Sequence, residues 1–380
     1  MKKIYSLVCA LALGAGWASA QVTIGGTNYA TLEEAWADAK NGDVIELKQD
    51  VTVGETLLQS YYTGEITIKS AAGRTFKISR TSGDIPMFVS YAKGDVINFE
   101  NVILDGASIE SAEPMVKANF RGVVNMKNVN IVNGVNTEAT GIINVFGQTG
   151  AALNADNLTI SDCEATAGVV VDGVATVKNA CSFSAYLADN SEVMNVVTDE
   201  GLNGGKVTVL FNTEKYGYGD VVVKGTESSV YFASGVTKYA LDGAEGNLVL
   251  APVVTIGETP YDSLDEAWAA AVSGDEIVLH GDVVLDGILS AYYKGAFTIK
   301  SAEGKVCTIT RGSGSTAMFL ASGGGDIINL ENVVLDGASI ETAQTMILAN
   351  NRGVVNLKNV TVANGVTTGN DGLINANGSR

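Results

Sequence analysis

The sequence is poor in histidine, proline and cysteine, and these shortages exclude several classes of protein. Its 380 residues include 1 His, 4 Pro and 4 Cys. A single His argues against a His-based metal site and against a Ser-His-Asp triad. Charged residues make up only 17% and hydrophobic residues 46%, which excludes a disordered chain. The formal net charge of −18 argues against nucleic acid and against anionic membrane surfaces, because both require basic patches.

The first twenty residues have the features of an export signal. Lys2 and Lys3 supply positive charge, an apolar run follows, and the tripeptide ASA precedes Gln21. We therefore expect residues 1–20 to be a signal peptide and the product to be secreted or held at the cell surface. The run is short for a membrane span and no later segment is long and apolar enough, so we expect no membrane insertion after cleavage.

Three cysteines remain after this cleavage: Cys163, Cys181 and Cys307. An odd number forbids complete internal pairing. Cys163 and Cys181 could meet across stacked turns of chain, but both also fit the role of small buried hydrophobic residues. The sequence leaves both interpretations open.

The chain contains a long internal duplication. The segment NFENVILDGASIE, which begins at Asn98, recurs as NLENVVLDGASIE at Asn329. Such self-similarity predicts an array of like units. We place a first unit with a β-rich tail at residues 21–250 and a second unit at 251–380. The second copy stops earlier than the first, and we expect it to be truncated because its last coil would otherwise leave an edge uncovered.

Each unit opens with the signal of a short amphipathic helix. Thr31 and Glu34 form a capping box, in which the Thr hydroxyl accepts a hydrogen bond from the Glu amide and the Glu side chain reaches back. Ser263 and Glu266 repeat it. The triplets NGD and SGD are expected to end the two helices, since Gly adopts the left-handed cap conformation readily. The apolar stripe of each helix contains a tryptophan that we expect in the core: Trp36 and Trp268.

After the helix, the first unit continues as short β-rich runs separated by Gly, Asn, Asp and Ser. A theme recurs as INFENVILDG, VNMKNVNIVNG and LNADNLTISD, in which Asn98, Asn125 and Asn154 are 27 and 29 residues apart. That period is about one coil of a solenoid. The sequence therefore predicts an all-β fold, a right-handed parallel β-helix in two tandem units with an N-terminal capping α-helix each. Stacking buries the apolar face that a single coil leaves exposed.

Stacked coils would place Asn101, Asn128 and Asn157 at the same turn, where their amides could form a ladder. Asn suits such a turn because it tolerates left-handed dihedral angles. A β-sandwich array is the alternative. It explains the antiparallel-looking tail at residues 206–249 better, but it explains the opening helix and the 27-residue theme poorly.

On these motifs, the chain resembles the pectin-lyase-like β-helix superfamily, and in particular the tandem-repeat surface or adhesin-like proteins of bacteria. The resemblance is carried by TLEEAWADAKNGDVIEL, then ITIKSAAGRTFKISR, then NVxLDG and NVxIxNG coils, and it covers residues 22 to about 185 and 254–380. It implies a β-helix at a bacterial surface. The same fold carries polysaccharide lyases, glycosidases, adhesins and passive stalks, so the resemblance leaves the function open.

The resemblance also implies what a lyase would need, namely an Arg or Lys base and carboxylates that hold calcium against an acidic sugar. Both copies offer candidates: Arg80, Asp105, Glu110 and Arg121 in the first, and Arg311, Asp336, Glu341 and Arg352 in the second. The Asp-Gly pairs are also ordinary turn dipeptides, and an arginine at a strand end can simply be solvated. The sequence has no dense carboxylate cluster and lacks the residue set of the pectin hydrolases. We therefore predict no metal and no cofactor, with calcium relevant only to the lyase alternative.

Two tyrosine pairs are the candidates for binding. Tyr61-Tyr62 and Tyr292-Tyr293 occupy corresponding loops of the two copies. Neighbouring residues of an extended chain point to opposite sides, so one ring of each pair could be exposed and stack on a sugar. The competing interpretation, which we weigh more heavily, is a ring that covers the coil edge beside the capping helix.

We therefore expect an exported, acidic, non-catalytic cell-surface protein whose partner is a glycan or a cell-surface protein. No catalytic residue is expected. Two alternatives remain, a polysaccharide lyase or glycoside hydrolase of the pectin-lyase-like fold, and a passive stalk for a downstream domain.

Overall fold

The computed structural model describes residues 21–54, 58–146, 150–188, 194–196, 202, 204–211, 216–225, 230–232, 239–244 and 247–377. The expected signal peptide lies outside the described residues. The chain divides into two compact units, Met1–Asn212 with Val223–Tyr231, and Thr213–Val222 with Phe232–Arg380. Among the described residues, no helix is long and apolar enough to cross a membrane.

The fold is a parallel β-solenoid of about 11 turns with two short helices. In the first unit, successive coils place strands on three faces. The first face contains Asp43–Leu47, Glu65–Ser70, Val96–Asp105, Val123–Val132, Ala152–Ser161, Val174–Lys178 and Met194–Val196. The second face contains Val51–Val53 and Phe76–Arg80, followed by the second halves of the three ten-residue strands. The third face contains Leu58–Ser60, Phe88–Ser90, Val116–Asn119, Ile143–Phe146, Val169–Asp172, Phe183–Leu187 and Val207–Phe211.

The remaining strands of the first copy and its tail are short. Val22–Ile24 and Thr27–Tyr29 form a hairpin at the start, and Glu110–Ser111 pairs with Val135–Asn136. The tail contributes Val221–Lys224, Val230–Phe232, Tyr239–Ala244 and Asn247–Pro252, of which the last two are an antiparallel pair. Within the part of the tail that the structure describes, Val207–Phe211 pairs in parallel with the coil before it, whereas the closing pair is antiparallel.

The second unit repeats this arrangement. Its opening hairpin is Val254–Ile256 with Thr259–Tyr261. The first face contains Glu276–Leu279, Ala296–Ser301, Ile327–Glu331 and Val354–Lys358, and the second Val283–Leu285, Cys307–Arg311, Val333–Asp336 and Thr361–Ala363. The third face contains Leu289–Ser290, Phe319–Ser322, Ile347–Asn350 and Ile374–Asn377, and Glu341–Thr342 pairs with Val366–Thr367.

The core is a column of inward-facing side chains contributed by successive coils. In Glu65–Ser70 every second side chain is buried, and Ile66 and Ile68 are fully enclosed. Ile68 lies level with Ile45 on one side and with Phe99 on the other. Every second side chain of a strand therefore points into the apolar column. The column is continuous because successive coils pair in parallel and in register.

A short helix covers the first coil of each unit, as predicted. The helices are α1, Leu32–Asp38, and α2, Leu264–Ala270. The hydroxyl of Thr31 accepts a hydrogen bond from the amide of Glu34 at 3.1 Å. Helix α1 ends at Asp38, before the NGD triplet, which instead forms the turn into the first coil with Gly42 at φ 87°. Both tryptophans are buried, which confirms their expected place in the core.

The predicted asparagine ladder is present. The side-chain amide of Asn128 donates to the amide oxygen of Asn101, and that of Asn157 donates to Asn128, each at 2.9 Å. All three residues have φ between 53° and 60°. The second unit repeats the contact between Asn359 and Asn332. At these corners each side-chain amide therefore forms a hydrogen bond with the amide of the neighbouring coil, in a backbone conformation that Asn tolerates.

The three cysteines that the structure describes are free thiols. Cys181 and Cys307 are buried, and Cys163 is half-buried. The Sγ of Cys181 donates to the carbonyl oxygen of Lys178 at 3.1 Å. The structure thus favours small buried residues over the Cys163–Cys181 pairing that the sequence left open.

Replacing Asn128 tests the ladder. Asn128→Ala removes two side-chain hydrogen bonds. Ala also tolerates a positive φ less well than Asn does, so we expect the free energy of unfolding to fall by ~2 kcal/mol. Asn128→Gly removes the same hydrogen bonds but relieves the backbone, and about half that loss is expected. Urea denaturation measures both.

The control for this prediction is Asn130→Ala, an exposed position on the same strand, where a change within ~0.5 kcal/mol is expected. Equal losses for the Ala and Gly variants would contradict the backbone contribution. Unchanged stability in both variants would contradict the ladder itself.

Candidate functional site

The tyrosine pair of the first unit lies in a loop that a buried carboxylate organises. Tyr61 and Tyr62 follow the strand Leu58–Ser60, and Tyr62 has φ 54°. The side chain of Asp95 is fully buried and accepts backbone hydrogen bonds from Tyr62 at 2.9 Å and Gly64 at 3.1 Å. This carboxylate, from the next coil, therefore fixes the conformation that presents the two rings.

Both tyrosines of the first unit are more than half exposed to solvent. Tyr61 is 55% exposed and Tyr62 is 74% exposed. Their ring centroids are 4.6 Å apart with the rings inclined at 62°. Together with Gln59 and Tyr91, Tyr61 lines an open depression of about 540 Å³.

Further aromatic residues extend the pair across successive coils. The ring of Tyr91 lies 5.2 Å from that of Tyr61, and the ring of Phe120 lies 4.9 Å from that of Tyr91. Phe146 follows on the next coil, where its carbonyl oxygen accepts the backbone N–H of Phe120 at 2.9 Å. Phe120 and Phe146 are both more than half exposed. We refer to these five residues, Tyr61, Tyr62, Tyr91, Phe120 and Phe146, as the aromatic strip.

The positions of these rings follow from the register of the third face. Leu58, Phe88, Val116 and Ile143 lie level with one another, so the residues at or just after the ends of their strands lie along one edge of the solenoid. Sequence reasoning missed Tyr91, Phe120 and Phe146. Aligning the ends of the third-face strands would have found them, but their spacings of 30, 29 and 26 residues hide the pattern in the linear sequence.

The second unit keeps the tyrosine pair and lacks the rest of the strip. The rings of Tyr292 and Tyr293 are 4.3 Å apart, both rings are more than half exposed, and Asp326 accepts the backbone N–H of Tyr293 at 2.9 Å. The positions equivalent to the three later rings are polar in this copy: Ser322, Asn351 and Asn377. The side chain of Asn351 donates to Ser322 at 3.2 Å, so this edge forms polar contacts of its own.

A second depression, of about 370 Å³, lies over the first face of the first unit, between a row of asparagines and a row of charged residues. Its polar groups already contact one another. Asn125 donates to Asn98 and Asn154 donates to Asn125, both at 2.7 Å, and Lys178 lies 3.4 Å from Asp156. These contacts support the solenoid and make this surface a weaker candidate than the aromatic strip.

The structure buries two of the arginines considered for a lyase. Arg80 and Arg311 are each 2% exposed, so neither is solvated as a strand-end charge would be. One guanidinium nitrogen of Arg80 donates to the carbonyl oxygen of Ile85 at 2.6 Å, and Arg311 donates to that of Thr316 at 3.1 Å. Burial lowers the pKa of both guanidinium groups. Both side chains are directed into the protein and do not reach a surface where a polysaccharide could bind.

The acidic lyase candidates have structural partners. Asp105 is buried, forms an ion pair with Lys77 at 2.8 Å and accepts a hydrogen bond from Asn133 at 3.0 Å. In the second unit, Asp336 accepts from Asn364 at 3.1 Å. Both aspartates therefore organise the Asp-Gly turns, as the turn interpretation of the sequence expects.

The remaining lyase candidates are exposed and dispersed. Arg121 and Arg352 follow the third-face strands, whereas Glu110 and Glu341 begin the short strands at another corner. Across the described residues, no hydrogen bond or ion pair joins these arginines to the candidate carboxylates. In the same part of the chain, no group of three or more His, Cys, Asp or Glu residues is placed to hold a metal ion.

The pH dependence of stability tests the role assigned to Asp105. Burial raises the pKa of Asp105, but hydrogen bonds from Lys77, Asn133 and the Ala107 amide outweigh it and lower the pKa below its ordinary value. A lowered folded-state pKa stabilises the protein above the unfolded-state pKa of about 4, and the gain is lost as the pH falls through the folded-state value. We therefore expect Asp105→Asn to flatten the loss of stability between about pH 5 and pH 2.

Urea denaturation at a series of pH values measures this slope. Lys77→Thr, which introduces the residue that the second unit has at Thr308, should flatten it in part. An acid slope in the Asp105→Asn variant as steep as in the unchanged protein would contradict the assignment.

Comparison with known proteins adds little to this geometry. No family model matches the chain, and no curated protein matches it. Two solved structures are similar to it, the PL6 family alginate lyase AlyGC and an Arg-to-Ala mutant of AlyGC. The mutant is 12% identical over 86% of this chain and 74% of that chain, with a TM-score of 0.22. AlyGC itself is 10% identical over 90% and 78% of the two chains, with a TM-score of 0.21. A likeness of this size carries no argument about the chemistry of this chain.

Proposed function

We propose that this chain is an exported, non-catalytic β-solenoid protein of the cell surface that binds a glycan through the aromatic strip of its first unit. The observation that carries the proposal is the continuity of the rings, of which Tyr61, Tyr62 and Phe120 are more than half exposed and Tyr91 is half-buried. Tyr62, Tyr61, Tyr91 and Phe120 contact one another in sequence across three coils, with centroid distances of 4.6, 5.2 and 4.9 Å.

Exposed rings of this kind suit a sugar because a pyranose ring has an apolar face of C–H groups and a polar rim of hydroxyl groups. Packing the C–H face against an aromatic ring removes apolar surface of both from water and adds dispersion contacts. The hydroxyl rim stays in water. A contiguous exposed patch of aromatic residues on a protein with only 7% aromatic residues also indicates an interaction site.

The lyase or hydrolase alternative is supported less well. Two of its candidate arginines are buried against backbone carbonyl oxygens, and its candidate aspartates are engaged in turns. The passive-stalk alternative gives no role to exposed rings that contact one another, since a stalk requires only the coil-to-coil hydrogen bonds. The adhesin-like resemblance of the sequence fits a glycan-binding solenoid.

Substitution within the strip tests the proposal. Tyr91→Ser and Phe120→Asn introduce the residues that the second unit carries at Ser322 and Asn351, so the fold accommodates them. Each should weaken binding to a glycan that the unchanged protein recognises on a glycan array by about tenfold, or ~1.4 kcal/mol, the size of one lost aromatic contact. Titration calorimetry measures the affinity.

Tyr186→Ser is the matched control, because Tyr186 lies on the same face of the first unit, on a later coil outside the strip. Its affinity should stay within about twofold of the unchanged protein. Absence of binding to every glycan on the array would refute the proposal, and equal losses in Tyr186→Ser and Tyr91→Ser would show that the strip is not the site.

A further inference from the structure

We infer that the aromatic strip holds a single glycan chain laid along the solenoid axis with about one sugar residue per coil, and that Tyr91, Phe120 and Phe146 set the number of sugars it recognises. This inference rests on the proposed function and adds the form and length of the ligand.

The spacing of the rings matches the repeat of an extended sugar chain. From Tyr61 to Phe120 the strip has one ring per coil, and the ring centroids are 5.2 and 4.9 Å apart. These distances follow from the separation of hydrogen-bonded strands, about 4.8 Å. A pyranose residue in an extended chain has a similar length. A chain parallel to the solenoid axis therefore brings successive sugars over successive rings.

The rings are inclined to one another and do not share one plane. Neighbouring rings are inclined at 62°, 69° and 53° along the series from Tyr62 to Phe120. A flat crystalline polysaccharide surface requires rings in one plane to make several contacts at once. Inclined rings instead fit a single chain whose sugar faces rotate from one residue to the next. The strip thus selects a soluble chain over a crystalline surface.

The strip has defined ends. Tyr61 and Tyr62 occupy the first coil of the strip, and Phe146 occupies the fourth. On the following coil, the residue level with Phe146 is Asp172, which is not aromatic. The ammonium group of Lys117 lies 5.5 Å from the centre of the Phe146 ring and adds a hydrogen-bond donor at that end. Four coils with rings correspond to about four sugars.

The second unit provides the comparison within the same chain. It has the tyrosine pair on one coil, while Ser322, Asn351 and Asn377 replace the later rings. By the same reasoning, its edge offers contacts to about one sugar. Contacts along one chain reinforce one another, because each sugar bound raises the effective concentration of the next. The first unit therefore gains affinity with chain length, and the second does not.

The experiment measures affinity against chain length with soluble oligosaccharides of two to seven residues from chitin, β-mannan and polygalacturonate. For at least one series, the dissociation constant of the unchanged protein should fall with each added residue up to about four and then level off. The triple variant Y91S/F120N/F146N keeps rings on one coil only, so its affinity should not rise with length across the series and should be at least tenfold weaker at four residues. Neither protein should pellet with crystalline chitin.

Tyr292→Ala, in the second unit, is the matched control and should leave the length at which affinity levels off unchanged. If the unchanged protein binds no oligosaccharide in any series, the proposed function fails. If it binds one but the affinity does not depend on length, the length inference fails while glycan binding stands. The same holds if the triple variant levels off at the same length as the unchanged protein. Pelleting with crystalline chitin would overturn the inference of a single chain.

Discussion

Backbone hydrogen bonds between successive parallel coils hold each residue level with its counterpart one coil away, and the other features of this molecule depend on that register. A slip of one residue would turn every inward side chain outward. The match of Ile68 with Ile45 and Phe99 keeps the apolar column closed. The same match brings Asn101 to Asn128 at one corner and Tyr61 to Tyr91 at another. The packing of the core, the asparagine contacts at the corner and the contacts between the aromatic rings therefore all depend on this backbone register.

The hydrogen bonds of the buried arginines also depend on this register. The guanidinium group of Arg80 contacts the carbonyl oxygens of Ile85, on its own coil, and of Glu113 and Pro114, on the next. A buried charge is costly unless hydrogen bonds compensate it, and carbonyl oxygens turned inward at a corner need donors of their own. The arginine supplies donors to these carbonyl oxygens and ties two coils together. Its repetition as Arg311 indicates a structural element of the repeated unit.

The two copies share the residues that hold the coils in register. They differ at outward positions that the register does not constrain. The carboxylates of Asp95 and Asp326 hold the tyrosine loops with the same backbone contacts. On the outer edge of the third face, by contrast, aromatic residues in one copy correspond to Ser and Asn in the other. Outward positions can change without disturbing the core, so a duplicated solenoid offers two related surfaces on which binding can diverge.

The sequence by itself determined the elements whose causes are local or periodic. The capping boxes predicted helices α1 and α2, alternation predicted the strands, and the recurring asparagines predicted both the coil and the ladder. Outside these recurring motifs it could not determine which outward residues meet, because loops of unequal length make the period vary from coil to coil. The aromatic strip and the burial of Arg80 were decided only by the tertiary structure, since both depend on hydrogen-bonded register between residues about 30 positions apart.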